Sequence, residues 1–222
     1  MIVRAHRIKR RLLRSDVRLQ RDYMDDAFEP KLHIGGGWHT LDGWLNTDLD
    51  VVPGVMIMDA SKRFPFASGT MQFVFSEHMI EHIPFEGGAR MLAECHRVMR
   101  PGGVIRITTP DLGAILGLRG ESLSSEQKRY VAWFCETFVR PPYPATAASV
   151  INAHFRMWGH QFLYDEVTLT EALRRAGFGS IERQRLGNSK HAPLRNLENT
   201  GRYPDGLLDF ESMALEATKP CE

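Results

Sequence analysis

The sequence predicts an α/β fold: Rossmann-like and doubly wound, with a mostly parallel sheet, helices on both faces and a helical lid insertion. Three observations carry that expectation. Short apolar runs alternate with helix-like stretches, a triple glycine directly follows the first run, and an aspartate ends each of the next two. With 222 residues, one domain with insertions is expected.

KLHI (31–34) reads as the first strand, WLNTD (44–48) as the second, VMIMD (55–59) as the third and FVFSE (73–77) as the fourth. GVIRITTP (103–110) reads as the fifth. Ahead of it, 87–99 places Met91, Leu92, Cys95, Val98 and Met99 on one helical face, and Pro101-Gly102-Gly103 stops that helix. Residues 113–163 break the alternation with two further helices, 124–139 and 145–159, around a PPYP turn at 141–144; this is the expected lid. A last helix starts near Asp165 or Thr168, where Thr168 and Glu171 have capping-box spacing, and stops at Gly177. SIERQRL (180–186) and SMALEATK (212–219) complete the strands.

Hydrophobic content of 43% with 25% charge excludes a largely disordered chain. Cys95, Cys135 and Cys221 form no CxxC pair, which argues against a disulfide framework or structural zinc and for a cytoplasmic setting. No run approaches the roughly 20 apolar residues needed to span a bilayer. The net charge of +1 conceals a basic start, in which Arg4, Arg7, Lys9, Arg10, Arg11, Arg14, Arg18 and Arg21 face only Asp16. The first 30 residues are therefore read as a basic helical arm ahead of a domain over 31–222. That arm is either a solvated helix or a contact for an anionic surface.

Gly35, Gly36 and Gly37 let backbone amides approach a ligand closely. Asp48 ends the second strand, where a carboxylate can accept from two ribose hydroxyls, and Asp59 ends the third, within reach of an adenine amine.

LHIGGG followed by NTDLD, then MDASKRFPFASGTMQFVFSEHMIEHIP, ECHRVMRPGGVIRITTPDL and FLYDEVTLTEALRRAGFGSI, resembles the class I S-adenosylmethionine-dependent methyltransferases over most of 31–219. The resemblance implies S-adenosylmethionine as cofactor. Gly35 to Gly37 would line its methionine and ribose, Asp48 the ribose, Asp59 and Ala60 the adenine, with Ser76, Glu77 and His78 beside the sulfonium. It also implies methyl transfer to a small-molecule or saccharide acceptor, at a hydroxyl oxygen. His33 departs from the pattern by replacing the usual acid of the first strand. Only about ten residues, Gly35 to Trp44, join the first two strands, near the minimum of roughly 10 to 12 for a crossover, so the first crossover helix is vestigial. GWLNTD fits a small subgroup of the family with this shortened spacing.

A hydroxyl acceptor needs a general base, and histidine has the suitable pKa. His78 is the first choice, with His160, His82 and His154 behind it. In HMIEH, His78, Glu81 and His82 invite a metal reading, but no third ligand is evident in the sequence and no metal is expected. Arg156, Trp158, His160 and Tyr164 lie close together before the last helix, a grouping suited to a sugar or aryl ring. A nicotinamide-dependent reductase would need GxGxxG and an acid about 20 residues on, whereas WHTLDG follows Gly37 and Asp48 comes much sooner. Nucleic-acid methyltransferases of the family carry an Asn or Asp, Pro, Pro, aromatic string where this chain has SEHM, so no nucleic acid is expected. A fold-sharing protein that binds without catalysis is the remaining alternative.

Overall fold

The computed structural model describes residues 16–221. Seven strands form one sheet: β1 Lys31–Ile34, β2 Leu45–Asp48, β3 Met56–Ile57, β4 Met71–Glu77, β5 Met99–Pro110, β6 Gly179–Gln184 and β7 Ser212–Thr218. Their order is β3-β2-β1-β4-β5-β7-β6. The pairs from β3 through β5 are parallel, while β7 runs antiparallel between β5 and β6. β3 keeps only two residues because β2 is its single neighbour. β5 starts four residues ahead of the expected Gly103, through a bulge between the Met71–Met99 and Phe73–Val104 pairs. Gly102 at φ +76° permits that bulge.

Alternation along the central strands sends two different sets of side chains to the two faces. Leu32, Ile34, Val74, Ile105, Ile107 and Leu215 join one apolar cluster. Helix α2 (Phe85–Val98) supplies Met91, Leu92, Cys95 and Val98 to it, and α6 (Glu166–Arg175) supplies Leu169, Ala172 and Leu173. Asp165 caps α6 by accepting from Thr168 N, so the capping residue lies three before Thr168.

On this same face lies α1, helical over 16–26, whose Leu19, Tyr23 and Met24 pack against the cluster. Tyr23 Oη ties it down, donating to Lys31 O at 3.0 Å and accepting from Lys31 N at 2.8 Å. The described end of the basic arm is thus a packed helix; Arg4 to Arg14 lie outside the described residues.

The opposite face holds Phe73, Phe75 and Val104, together with buried Arg106, Thr108 and Glu216. It is covered by the long connection between β6 and β7, through Leu194 and Leu197, where crossover helices would be expected. Arg106 holds that cover. Its guanidinium donates to Glu198 and Glu216 at 2.7 Å each, and to the carbonyls of Asn188 and Arg185 at 2.9 and 3.1 Å.

The helical insertion is α3 (Leu112–Gly117), α4 (Ser125–Phe138) and α5 (Ala147–Arg156). Ser124 and Gln127 close a capping box on α4, and Thr146 caps α5. With α7 (Leu207–Glu211) these helices enclose a second apolar cluster around Tyr130, Phe134, Val150 and Leu207. Among the described residues no helix is long and apolar enough to cross a membrane.

Candidate functional site

A strand order of 3-2-1-4 carries the chain away from β1 on one side and from β4 on the other, which opens a crevice beyond their carboxyl ends. Gly35 to Gly37 leave β1 there, and Ser76 to His78 end β4 beside them, with Ile34 in register with Ser76. Gly35 and Gly36 both donate to Thr47 O, at 2.9 and 3.2 Å, which folds the turn onto β2.

The three glycines are required for different reasons. A Cβ at Gly35 would meet the Met79 side chain, and one at Gly36 would lie 2.5 Å from the His33 ring. At Gly37 the nearest atom is Asp48 Oδ2, at 3.8 Å. The first two are therefore dictated by the protein's own packing. Gly37, at φ +52°, leaves its backbone open.

Asp48 Oδ2 accepts from Gly37 N at 2.7 Å and Oδ1 from Asp50 N at 2.8 Å. A carboxylate has about four lone-pair sites, so each oxygen keeps one for a ligand hydroxyl. Asp59 stands two residues beyond Ile57, the register partner of Asp48, with Ala60 buried beside it. Its Oδ1 accepts from Ser61 N and Oγ, which, with smaller help from Lys62 and Arg90, lowers its pKa. Ser76 Oγ is buried without a hydrogen-bond partner among the described residues. Glu77 is instead committed to the opposite face, accepting from Asn199 N and from Arg202 at 2.8 Å.

His33 also turns to that face. Its ring stacks on Phe75 at 5.3 Å, Nδ1 lies 3.0 Å from Asn46 Oδ1, and burial drives its pKa down to about 4. The side chain is a neutral packing group. Asn46 also bonds Leu41 N, Leu41 O and Trp44 O, which staples the helix-free segment joining β1 to β2.

His78 adopts φ +46°, a left-handed conformation unusual for a residue with a side chain, and its N–H donates to Thr108 O. That turn points the imidazole inward. Nε2 lies 2.8 Å from Ser212 Oγ and Nδ1 3.4 Å from Glu81 Oε1. Burial opposes the charged ring, but the Glu81 carboxylate, with Glu211 beyond it, outweighs burial and raises the His78 pKa. Both ring nitrogens are thus engaged within the protein.

His160 is arranged differently. The chain at 161–162 hydrogen-bonds to Glu81 O, and His160 packs edge-on against His82 at 4.8 Å between ring centroids. His160 Nδ1 lies 2.6 Å from His154 O, so this nitrogen carries the proton and Nε2 keeps its lone pair. Burial lowers the His160 pKa. Behind it, His154 Nε2 lies 2.8 Å from Tyr130 Oη, and Tyr130 donates to Glu211 at 2.6 Å. Burial raises the Glu211 pKa and pushes that of His154 down to about 3. Arg106, Asn46, Tyr130 and Glu211 were not marked by the sequence as parts of this framework.

The strand order defines an open, doubly wound α/β sheet with a crevice at its switch point. Residues 45–107 match a family model described as a methyltransferase domain. No curated protein matches the chain. A solved S-adenosylmethionine-dependent methyltransferase from Archaeoglobus fulgidus superposes with a TM-score of 0.51 at 14% identity, covering 94% of each chain. Another match, from Thermotoga maritima and described as a possible histamine N-methyltransferase, gives 0.48 at 16% identity over 90% of this chain and 87% of that one. Phosphoethanolamine N-methyltransferase 2 of Haemonchus contortus, solved with phosphomonomethylethanolamine and S-adenosylhomocysteine, gives 0.47 at 17% identity. It matches 94% of this chain, which spans about half (53%) of the Haemonchus chain. Residues 45–107 thus carry the methyltransferase-domain match, and the chain as a whole shares the fold of a solved S-adenosylmethionine-dependent methyltransferase.

Proposed function

We propose that the chain binds S-adenosylmethionine at the β1–β4 crevice and transfers its methyl group to a hydroxyl of a small-molecule or saccharide acceptor. The observation that carries this reading is the Gly37–Asp48 pair, an open glycine backbone bonded to a carboxylate with lone pairs to spare. Asp48 would take the ribose hydroxyls, Asp59 and Ala60 the adenine, and Gly35 to Gly37 the methionine side. Ser76 Oγ, buried and unpartnered, would find its partner in the ligand. When bound, the cofactor supplies an electrophilic methyl carbon on a positively charged sulfur.

For the base, the geometry favours His160 over His78. His160 Nε2 carries a free lone pair and its pKa is lowered, so the ring is neutral at pH 7 and able to take a hydroxyl proton. His78, raised in pKa, with Nε2 bonded to Ser212 Oγ and Nδ1 in charge contact with Glu81 Oε1 at 3.4 Å, becomes a positioning residue that fixes the end of β4 and Glu81. Glu77 acts in the same way, fixing the strand end through Asn199 and Arg202. Water exclusion and alignment by the insertion supply the remaining rate enhancement.

Calorimetric titration with S-adenosylhomocysteine tests the cofactor site. The parent should bind with micromolar affinity, and Asp48→Ala should lose about 1.5 to 3 kcal/mol, the range for a hydrogen bond to a charged group. Asp48→Asn retains an acceptor for Gly37 N and separates loop collapse from ligand contact. Parent-like binding by Asp48→Ala would overturn the ribose assignment.

A further inference from the structure

We infer that Glu81, His82 and His160 form a binding site for a divalent transition-metal ion of zinc-like preference. HMIEH offers two histidines and a glutamate, and the fold both turns one histidine away and replaces it. His78 is directed to Ser212, while the insertion delivers His160 against His82. One ligand atom from each of Glu81, His82 and His160 lies within 4.8 Å of the other two. Two imidazoles and one carboxylate, with positions left open, are a set used by catalytic zinc.

The state of each group is what a ligand requires. Glu81 is fully buried, and its Oε2 accepts from Thr109 Oγ1 at 3.0 Å. Its Oε1 has no hydrogen-bond partner among the described residues; the nearest nitrogens are His78 Nδ1 at 3.4 Å and His82 Nε2 at 4.0 Å. His78 Nδ1 gives this oxygen a charge contact but no hydrogen bond, so a bound cation would complete its coordination. His160 Nδ1 is bonded to the His154 carbonyl, the second contact by which metal-binding histidines are commonly oriented, and this leaves Nε2 available. His82 has 36% of its side chain exposed, which provides an entry path and freedom to rotate.

Zinc bonds of about 2.0 to 2.1 Å place tetrahedral ligands about 3.4 Å apart. The widest separation must therefore close by up to about 1.4 Å when the ion binds. Only the occupant of the open positions rests on the proposed methyl transfer: with Nε2 of His160 ligating the metal, its lone pair is no longer available as a base, and the acceptor oxygen would be made acidic by the metal instead. The ligand set stands independently of it.

The test uses the full chain, stripped with chelator and titrated with CoCl2 and ZnCl2. One Co2+ should bind per chain with visible d–d bands and no thiolate charge-transfer band, and Zn2+ should displace it. Glu81→Gln, which keeps an acceptor for Thr109, and His82→Ala should each weaken binding at least tenfold, while His191→Ala, on the far face, should not. Circular dichroism of each variant verifies folding. Absence of stoichiometric metal, a thiolate spectrum, or parent-like binding by folded Glu81→Gln would each overturn the site. Such a result would leave S-adenosylhomocysteine binding, and with it the cofactor reading, untouched.

Discussion

Replacing Arg106 by methionine tests the framework beneath the site. The side chain is fully buried and meets Glu198 and Glu216, whose side chains are 1% and 4% exposed. Methionine has similar length and no charge, so both carboxylates lose their cationic partner. Glu198 keeps Thr108 Oγ1 and Gly187 N, and Glu216 keeps Ser189 Oγ. Stranding one partner of a buried ion pair costs about 3 to 5 kcal/mol. In a chain of this size each kcal/mol lowers the melting temperature by about 2 to 4 °C, so a drop of about 6 to 20 °C is expected. Urea denaturation of the parent, Arg106→Met, and Arg106→Met combined with Glu198→Gln and Glu216→Gln provides the assay. The triple variant should recover more than half of the loss, because neutral amides need no counter-charge. A single variant within about 1 kcal/mol of the parent, or a triple variant no better than the single, would refute the argument.

Two further outcomes follow from the histidines. His160→Ala should lower turnover by roughly 10² to 10⁴ with cofactor affinity nearly unchanged. His78→Ala should instead reduce stability and activity together while the pH–rate profile keeps its shape, and the reverse pattern would return the base role to His78. For His33, the unfolded ring takes up its proton near pH 6.5, whereas the folded ring does so only near 4. Stability should therefore be fully present above pH 6.5 and decline by about 3 kcal/mol as the pH falls to 4. His154, held near 3, adds a decline of its own over the same range. His33→Gln, able to retain the Asn46 contact, should therefore make the slope shallower without abolishing it when denaturation is compared at pH 7, 5.5 and 4.5; an unchanged slope would exclude a contribution from His33.

The strand ends were legible in the sequence because a parallel sheet writes itself as short apolar runs, and KLHI, NTD and FVFSE carry that pattern without interruption. The Gly-rich turn and its two aspartates were legible for the same reason, since they sit where the runs stop. The cover over the second face was not, because 185–211 forms only two 3-10 turns and one short helix and shows no period. Its signal was indirect: Arg106 in GVIRIT and Glu216 in SMALEAT place charges in the middle of buried strands, and a buried charge demands a partner. The pairing of His82 with His160 depends on how the insertion folds back, which no local spacing encodes. The inward turn of His78 depends on one left-handed backbone angle.

The cover drawn from the last part of the chain sets an order of events. His39, in the turn beside the glycines, bonds Leu197 O across 158 positions, and Glu77 at the end of β4 waits for Asn199 and Arg202. A nascent chain that has already exposed β1 through β5 still lacks the braces that hold the ends of β1 and β4. The crevice proposed for the cofactor therefore takes its final shape only after translation has passed residue 202, so ligand capture would report on synthesis of the 185–202 segment and not on that of the first half alone. Premature termination anywhere in 185–202 would leave a sheet with one naked apolar face, the kind of surface that chaperones hold and proteases remove.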